Sequence, residues 1–464
     1  MLISNQPIVG SGIGGSSCSY FLRDQLKDDI DIDLYEANEI GGRLATVKYE
    51  DKIYEVGGCI IHERNKYMNT FREKFQLKKI ADNLDEILTI RDRDGFQFCS
   101  SKSAIITYAK MIWEYGFMSL FRLHKFISHL LDQFDNIYNL QENGEAFSTV
   151  EDLFAAADPK FLTYFNISAK EGFASYVHLN EKTVDDLVRA TIRVNYGQTT
   201  DVHLFLSSVS VAGMFGTLWG IQGGNRQVPE LLVQKSIVNF LNNRVVKIAY
   251  DEPHKEYVVE SVSKLAAEKL VKSYDVVVIA NPITGDSKTP IEFVNFSTPI
   301  SVSGQYQRTV ATLVAGNLNA SYYHWHKDNV PDVIINNDDD VVNSIGKIKP
   351  VIKVKKVKTH VWKIFSQRPL MESELKAMFE TPKVIEIKDW LAYPKYEKLN
   401  VLDGNFVLHD RLFYVNAIEW AASAMEMSVI GAKNVALLVE KEILRSTGKV
   451  ERHVKERKFE KEEL

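Results

Sequence analysis

Three absences bound this chain of 464 residues before any motif is read. Cysteine is scarce: Cys18, Cys59 and Cys99 are the only three. A complete disulfide framework is therefore excluded, and at least one thiol stays unpaired unless it pairs between chains. No two stand at metal-ligand spacing, so no metal site is expected, and all three read as core residues. An excess of positive charge is also missing. The 56 Lys and Arg against 61 Asp and Glu leave a net charge of −5, and no basic stripe interleaves with aromatics, which removes the electrostatic case for nucleic acid. Val351 to Lys358 is locally basic, but its lysines alternate with valine and isoleucine, the pattern of a strand with one solvated face. Uninterrupted apolar runs are the third absence. Ala104 to Leu140 is rich in large apolar residues, yet Lys110, Glu114, Arg122, Lys125 and Asp132 break it, so it is not a membrane span. Nor does the chain open on a charged segment followed by an apolar one, so no secretory leader is expected.

What is present is a globular composition, 45% hydrophobic and 25% charged, in a chain long enough for two domains. The richest segment is Ile8 to Thr46. Gly10, Gly12 and Gly15 fit G-x-G-x-x-G, with Gly14 inside the motif. This is the turn between a first parallel strand and its helix, here an apolar one from Ser16 to Leu26. The first glycine allows the tight turn, the second lets backbone approach a pyrophosphate, and the third lets the helix pack on the sheet. The helix N-terminus adds amide donors and a positive dipole end. Asp31 to Glu36 reads as the second strand, with Glu36 at the end where an acid hydrogen-bonds a ribose hydroxyl. Pro7 is out of place in a central strand, because it removes a ladder donor. Either the strand start tolerates it or the N-terminus is altered.

Gly41-Gly42-Arg43 follows, where the chain passes back across the bound pyrophosphate. Two glycines permit close approach, and the arginine offsets phosphate charge. This spacing resembles the flavin-binding half of the amine oxidase and phytoene desaturase superfamily, which implies FAD rather than NAD. Ala104 to Leu140 reads as two helices broken near Gly116, a layer of the second domain. The alternative is an apolar pocket wall or a membrane-facing surface. Gly223-Gly224 allows another loop to pass the flavin before an apolar helix from Val228 to Phe240. Arg244 to Ile248 is a strand whose backbone, at Val245, can meet the adenine. Tyr274 to Pro282 is a buried parallel-strand run. Near the C-terminus, Arg411 to Ala417 is a strand entering a loop, and Ala421 to Glu440 is a helix. Amide donors near Met425, at its start, would stabilise negative charge on a reduced flavin.

Together these residues resemble the prenylcysteine oxidase family over nearly the whole chain, least between Asn319 and Lys388. The matches include Tyr54-Glu55-x-Gly57, Tyr196-Gly197-Gln198, Leu218-Trp219 and Gly223-Gly224-Asn225. The most specific is Tyr414-x-Asn416-Ala417-x-Glu419-Trp420-Ala421-Ala422-Ser423. The resemblance implies an α/β fold, with a Rossmann-like FAD-binding domain and a discontinuous α+β substrate domain. The FAD-binding domain would comprise 1–65, 200–285 and 395–464, and the substrate domain 66–199 and 286–394. It further implies oxidation of farnesyl- or geranylgeranyl-cysteine by molecular oxygen to cysteine, an isoprenoid aldehyde and hydrogen peroxide. Tyr196, Gln198, Asn416, Glu419 and Trp420 are the expected flavin-facing shell, each with a structural role as its alternative. No catalytic base is named, because hydride loss beside sulfur asks for positioning and a dry pocket more than for a base.

The resemblance also implies a lysosomal setting with lipid contact. Asn166, Asn295 and Asn319 fit the glycosylation pattern. Two other readings stay open: another flavin oxidase or desaturase, such as an amine oxidase with an aromatic sandwich beside the flavin, and a relative that binds isoprenoids without turnover. Gly12→Asp tests the fingerprint, since it puts a side chain and a negative charge into the pyrophosphate site. The variant is expected to purify without FAD; normal flavin absorbance would contradict the assignment.

Overall fold

The computed structural model describes residues 4–81, 86–264, 266, 268–325, 330–338, 341–352, 358–396 and 404–446. Strand β1 (Ser4–Val9), helix α1 (Ile13–Leu26) and strand β2 (Ile30–Tyr35) form the opening unit. The apolar residues of β1 and β2 bury almost completely, as strands covered on both faces must. β1 pairs in parallel with β2 from Ser4–Ile30 to Val9–Tyr35, and on its other side with Val277–Ile279 at Ile8 and Val9 only. Pro7 lies inside β1, opposite Asp33 of β2, but it precedes the pairing with Val277–Ile279 on the other side, so the register on that side does not ask for its missing donor.

The sheet has six strands among the described residues. Their spatial order is Asn239–Leu241, β2, β1, Val277–Ile279, Leu412–Tyr414 and Val407–His409. All pairs are parallel except the last. α1 packs beside the helices Gln227–Ser236 and Met425–Ser446. A four-stranded sheet of Lys269–Tyr274, Glu256–Ser263, Asn243–Asp251 and Glu292–Val294 meets it. The link is Asp33 of β2, which accepts from the Tyr274 hydroxyl at 2.7 Å and from Lys272 Nζ at 2.9 Å.

A second large sheet takes its seven strands from 88–99 and 306–394, in the order Lys383–Pro394, Tyr306–Ala315, Val361–Ser366, Val342–Ile348, Val333–Asn336, Leu88–Arg91 and Phe96–Cys99. Helices between Ala104 and Ala212 accompany it. Gly116, at φ +81°, separates helix Ala104–Tyr115 from helix Phe117–Phe134, at the expected break. No helix among the described residues is long and apolar enough to cross a membrane.

Several boundaries differ from the sequence reading. The helix expected over Val228 to Phe240 stops at Ser236, because Ile237 turns into the left-handed region; Asn239–Leu241 then adds an edge strand beside β2. The run from Tyr274 to Pro282 divides, with Tyr274 ending an antiparallel strand and Val277–Ile279 lying centrally in the parallel sheet. The last helix begins at Met425, after a tight helical turn over Val415–Trp420. Of the basic segment 351–358, Lys353, Lys355 and Lys356 lie outside the described residues. The three cysteines are free, and burial pushes the Cys18 thiol up. Asn166 and Asn295 are exposed, while Asn319 is half-buried and its amide donates to Ala377 O.

Candidate active site

The site starts where the parallel strands end. Gly10 takes φ +101° and its N–H donates to Tyr35 O at 2.8 Å. A Cβ on Gly15 would stand 1.9 Å from Gly10 O, so the helix sits against the turn only because residue 15 is glycine. Gly14 is less constrained, its nearest neighbour being Val415 Cγ1 at 3.1 Å. Gly12 differs in kind. A Cβ there would meet nothing nearer than Gly41 O at 3.9 Å, and the residue lines a large cavity. Packing does not demand glycine at position 12; access to the cavity does.

The second glycine pair lies against the first. Gly41 N–H donates to Ser11 O at 3.0 Å, and a Cβ on Gly42 would come within 3.4 Å of Gly12 Cα. Glu36 is buried beside them and accepts from Ser11 N at 2.8 Å, Ser11 Oγ at 2.7 Å and Asn38 N at 2.8 Å. α1 has no side-chain cap and no acid in its first turn, so its first amides are left to an anion.

The cavity is about 1260 Å³. It runs past Gly10, Gly12 and Glu36, past Val245, and past Asn416, Glu419 and Met425 of the C-terminal segment. An apolar wall of Leu130, Leu131, Phe134, Val209 and Trp219 belongs to the same space. A dinucleotide cofactor fits this arrangement: a glycine cradle and uncapped helix for a pyrophosphate, an acid for a ribose, and an apolar remainder.

Arg43, expected to offset phosphate charge, lines the same cavity. Its guanidinium reaches the C-terminal segment and pairs with Glu419, through Nη2 to Oε1 and through Nη1 to Oε2 at 3.0 Å. Nη1 also donates to Ala392 O at 2.6 Å. Burial opposes the charge on Arg43, and the adjacent Glu419 carboxylate more than restores it, raising its pKa. Glu419 is 1% exposed and takes further bonds from Tyr306 OH and Asn416 Nδ2, both at 2.8 Å. Tyr396 OH donates to Glu419 O and receives Ser423 N–H, each at 2.8 Å, while Tyr196 OH donates to Ser423 O at 3.2 Å.

Of the expected shell, Tyr196, Asn416 and Glu419 line the cavity; Gln198 and Trp420 are not in its wall. Gln198 clasps Pro394 O and Tyr396 N, and Trp420 is buried against Tyr306. Sequence reasoning gave no role to four wall residues. Lys363 is 5% exposed, with Nζ 3.3 Å from Gly57 O and 3.4 Å from Cys59 Sγ. Glu55 accepts Asn225 N–H at 2.6 Å, and burial pushes its pKa up to about 7. Glu426 takes Tyr67 N, Met68 N and Tyr138 OH at 2.7, 3.0 and 2.8 Å, and burial likewise pushes it up to about 7. Tyr393 meets Tyr196 edge to face, ring centroids 5.2 Å apart. Glu55 belongs to the Tyr54-Glu55-x-Gly57 match, a signal that could have found it.

Comparison with known proteins agrees with this geometry. The profile of the prenylcysteine lyase family matches residues 98–452, and that of an NAD(P)-binding Rossmann-like domain matches residues 8–75. Human prenylcysteine oxidase 1 is 37% identical over 450 residues, which cover 93% of this chain and 88% of the relative. Bovine prenylcysteine oxidase 1-like is 30% identical over 442 residues, covering 93% and 89%. Among solved structures, a putrescine oxidase redesigned in its cofactor binding superposes with a TM-score of 0.63 at 12% identity, covering 95% of this chain and 99% of that one. Cyclohexylamine oxidase from Brevibacterium oxydans does so with a TM-score of 0.61 at 14% identity, again covering 95% and 99%. At such identities the likeness is one of fold.

Arg43→Met leaves the buried Glu419 carboxylate without its cation. The expected result is a loss of about 3 kcal/mol of stability, discounted for the partial accessibility of Arg43, together with weakened flavin retention. Denaturant unfolding and flavin absorbance check this; a variant as stable as the parent contradicts the clamp.

Proposed function

The chain belongs to the prenylcysteine lyase family, and from that premise we propose that it is an FAD-dependent prenylcysteine oxidase. Its reaction joins prenylcysteine, oxygen and water to give free cysteine, the isoprenoid aldehyde and hydrogen peroxide. One observation carries the reading: a single cavity joins the glycine cradle to an apolar wall. When bound, FAD supplies the hydride acceptor and the route of electrons to oxygen.

The chain's own residues bind, orient and exclude water. Gly12 and the start of α1 offer backbone amides to the pyrophosphate, and the Glu36 carboxylate oxygens keep lone pairs for ribose hydroxyls. The Arg43–Glu419 network fixes Asn416 and Ser423 at the other end of the cavity. Leu130, Leu131 and Phe134 present an apolar wall to an isoprenoid chain. Lys363 places positive charge in a buried wall, which favours negative charge arising there. Tyr196 and Tyr393 meet edge to face in the wall, so this pair does not form two parallel rings.

A farnesyl or geranylgeranyl chain partitions into bilayers, so the enzyme meets its substrate at a lipid surface. An acidic lysosomal compartment suits the chain, with N-glycans on the exposed Asn166 and Asn295. Glu55 and Glu426 both have folded pKa values raised from 4.5 to about 7. Each therefore contributes stability that is full below 4.5 and is lost as pH rises through about 7.

Anaerobic mixing of FAD-loaded protein with farnesylcysteine tests the reaction. The visible flavin band is expected to bleach, then to recover with peroxide release when air is admitted; an unmoved band contradicts it. Thermal unfolding tests the compartment: Tm is expected to rise from pH 7.5 to pH 5, and less so in Glu55→Gln. A Tm that falls over this interval counts against the acidic setting.

A further inference from the structure

Helix Ala104–Tyr115 buries only Tyr115, although most of its residues are apolar. Ile105 is 82% exposed and Trp113 88%, and Ile106, Tyr108, Phe117 and Phe121 are exposed as well. At 100° per residue, the exposed large apolar side chains of this helix (Ile105, Ile106, Tyr108, Ile112 and Trp113) fall within an arc of about 160°. They form one face. The next helix begins with Phe117 and Phe121, whose rings stack 6.2 Å apart. Monomeric proteins seldom leave this much contiguous apolar surface without an occupant.

The surrounding charge indicates which occupant. Between residues 102 and 125 stand Lys102, Lys110, Arg122 and Lys125 against a single acid, Glu114. All four cations are exposed, and among the described residues none forms an ion pair. Glu114 itself faces Lys182 at 3.9 Å. A chain of net −5 thus gathers a local positive excess beside its apolar face. Tryptophan and isoleucine on one side, with lysine and arginine around them, suit the boundary of an anionic bilayer.

We propose that the helices Ala104–Tyr115 and Phe117–Phe134 dock the protein in the plane of a bilayer with anionic headgroups, inserting Ile105, Trp113 and Phe121. The proposal rests on the oxidase reading only for its purpose. The second helix starts at the docking face and reaches the cavity at Leu130, Leu131 and Phe134. From Phe121 to Leu131 is about 15 Å along the helix axis. A chain extracted from the bilayer would thus meet the apolar wall along the helix that binds the bilayer.

Flotation of the FAD-loaded protein with phosphatidylcholine/phosphatidylserine vesicles, and with phosphatidylcholine vesicles alone, tests this. The protein is expected to float with the mixed vesicles and less with the neutral ones. A variant combining Ile105→Ser, Trp113→Ser and Phe121→Ser should lose about tenfold in partitioning while soluble farnesylcysteine still bleaches its flavin. The proposal is overturned if the parent floats with neither vesicle or if the variant floats equally well. It is also overturned if light scattering shows a dimer that the variant dissolves, since a second copy then covers the face. Flotation without bleaching would sink the oxidase reading and leave the docking face standing.

Discussion

One buried carboxylate holds this architecture together. Glu419 collects the guanidinium of Arg43, the hydroxyl of Tyr306 and the amide of Asn416. Those partners come from the loop of the second glycine pair, from a strand of the seven-stranded sheet, and from the turn before the last helix. A carboxylate this deep is tolerated only when its partners are all present, so the three segments are obliged to meet at one place. That place is the wall of the cavity. The backbone of Glu419 adds a fourth segment through Tyr396 OH.

The cavity follows from the topology. Gly10, Glu36, Ala280 and Val415 each come directly after a strand of the parallel sheet, and all four line it. Ligands of open α/β sheets bind outside the carboxyl ends of the strands. The second sheet and the helices from Ala104 onward close the far side, the helices contributing apolar surface at Leu130, Leu131 and Phe134 and the sheet adding Lys363. Cofactor chemistry and isoprenoid accommodation therefore belong to different layers that share one volume.

Much of this was legible in the sequence, and the reasons are local. Turn geometry demands glycine at Gly10 and at Gly15, and strand endings place Glu36, so the cradle can be read from spacing alone. Gly116 marks a helix break for the same reason. What was not legible depends on contacts between distant segments. Nothing nearby in sequence reveals Glu419 as the partner of Arg43. Lys363 lies in the stretch least similar to the family and looks like a solvated strand residue until the fold buries it. Gln198 and Trp420 belong to conspicuous motifs, yet they serve packing and backbone bonding outside the cavity wall. Ile237, a β-branched residue in the left-handed region, ended a helix that hydrophobic pattern alone extends to Phe240.

The central claim is that one cavity holds both the dinucleotide and the prenyl chain. A crystal structure of the FAD-loaded protein with a non-cleavable farnesylcysteine analogue tests it most directly. The account predicts the pyrophosphate at Gly12 and the start of α1, with the isoprenoid along Leu130, Leu131 and Phe134. An isoprenoid bound elsewhere, or a cavity filled by side chains once FAD is in place, would contradict it.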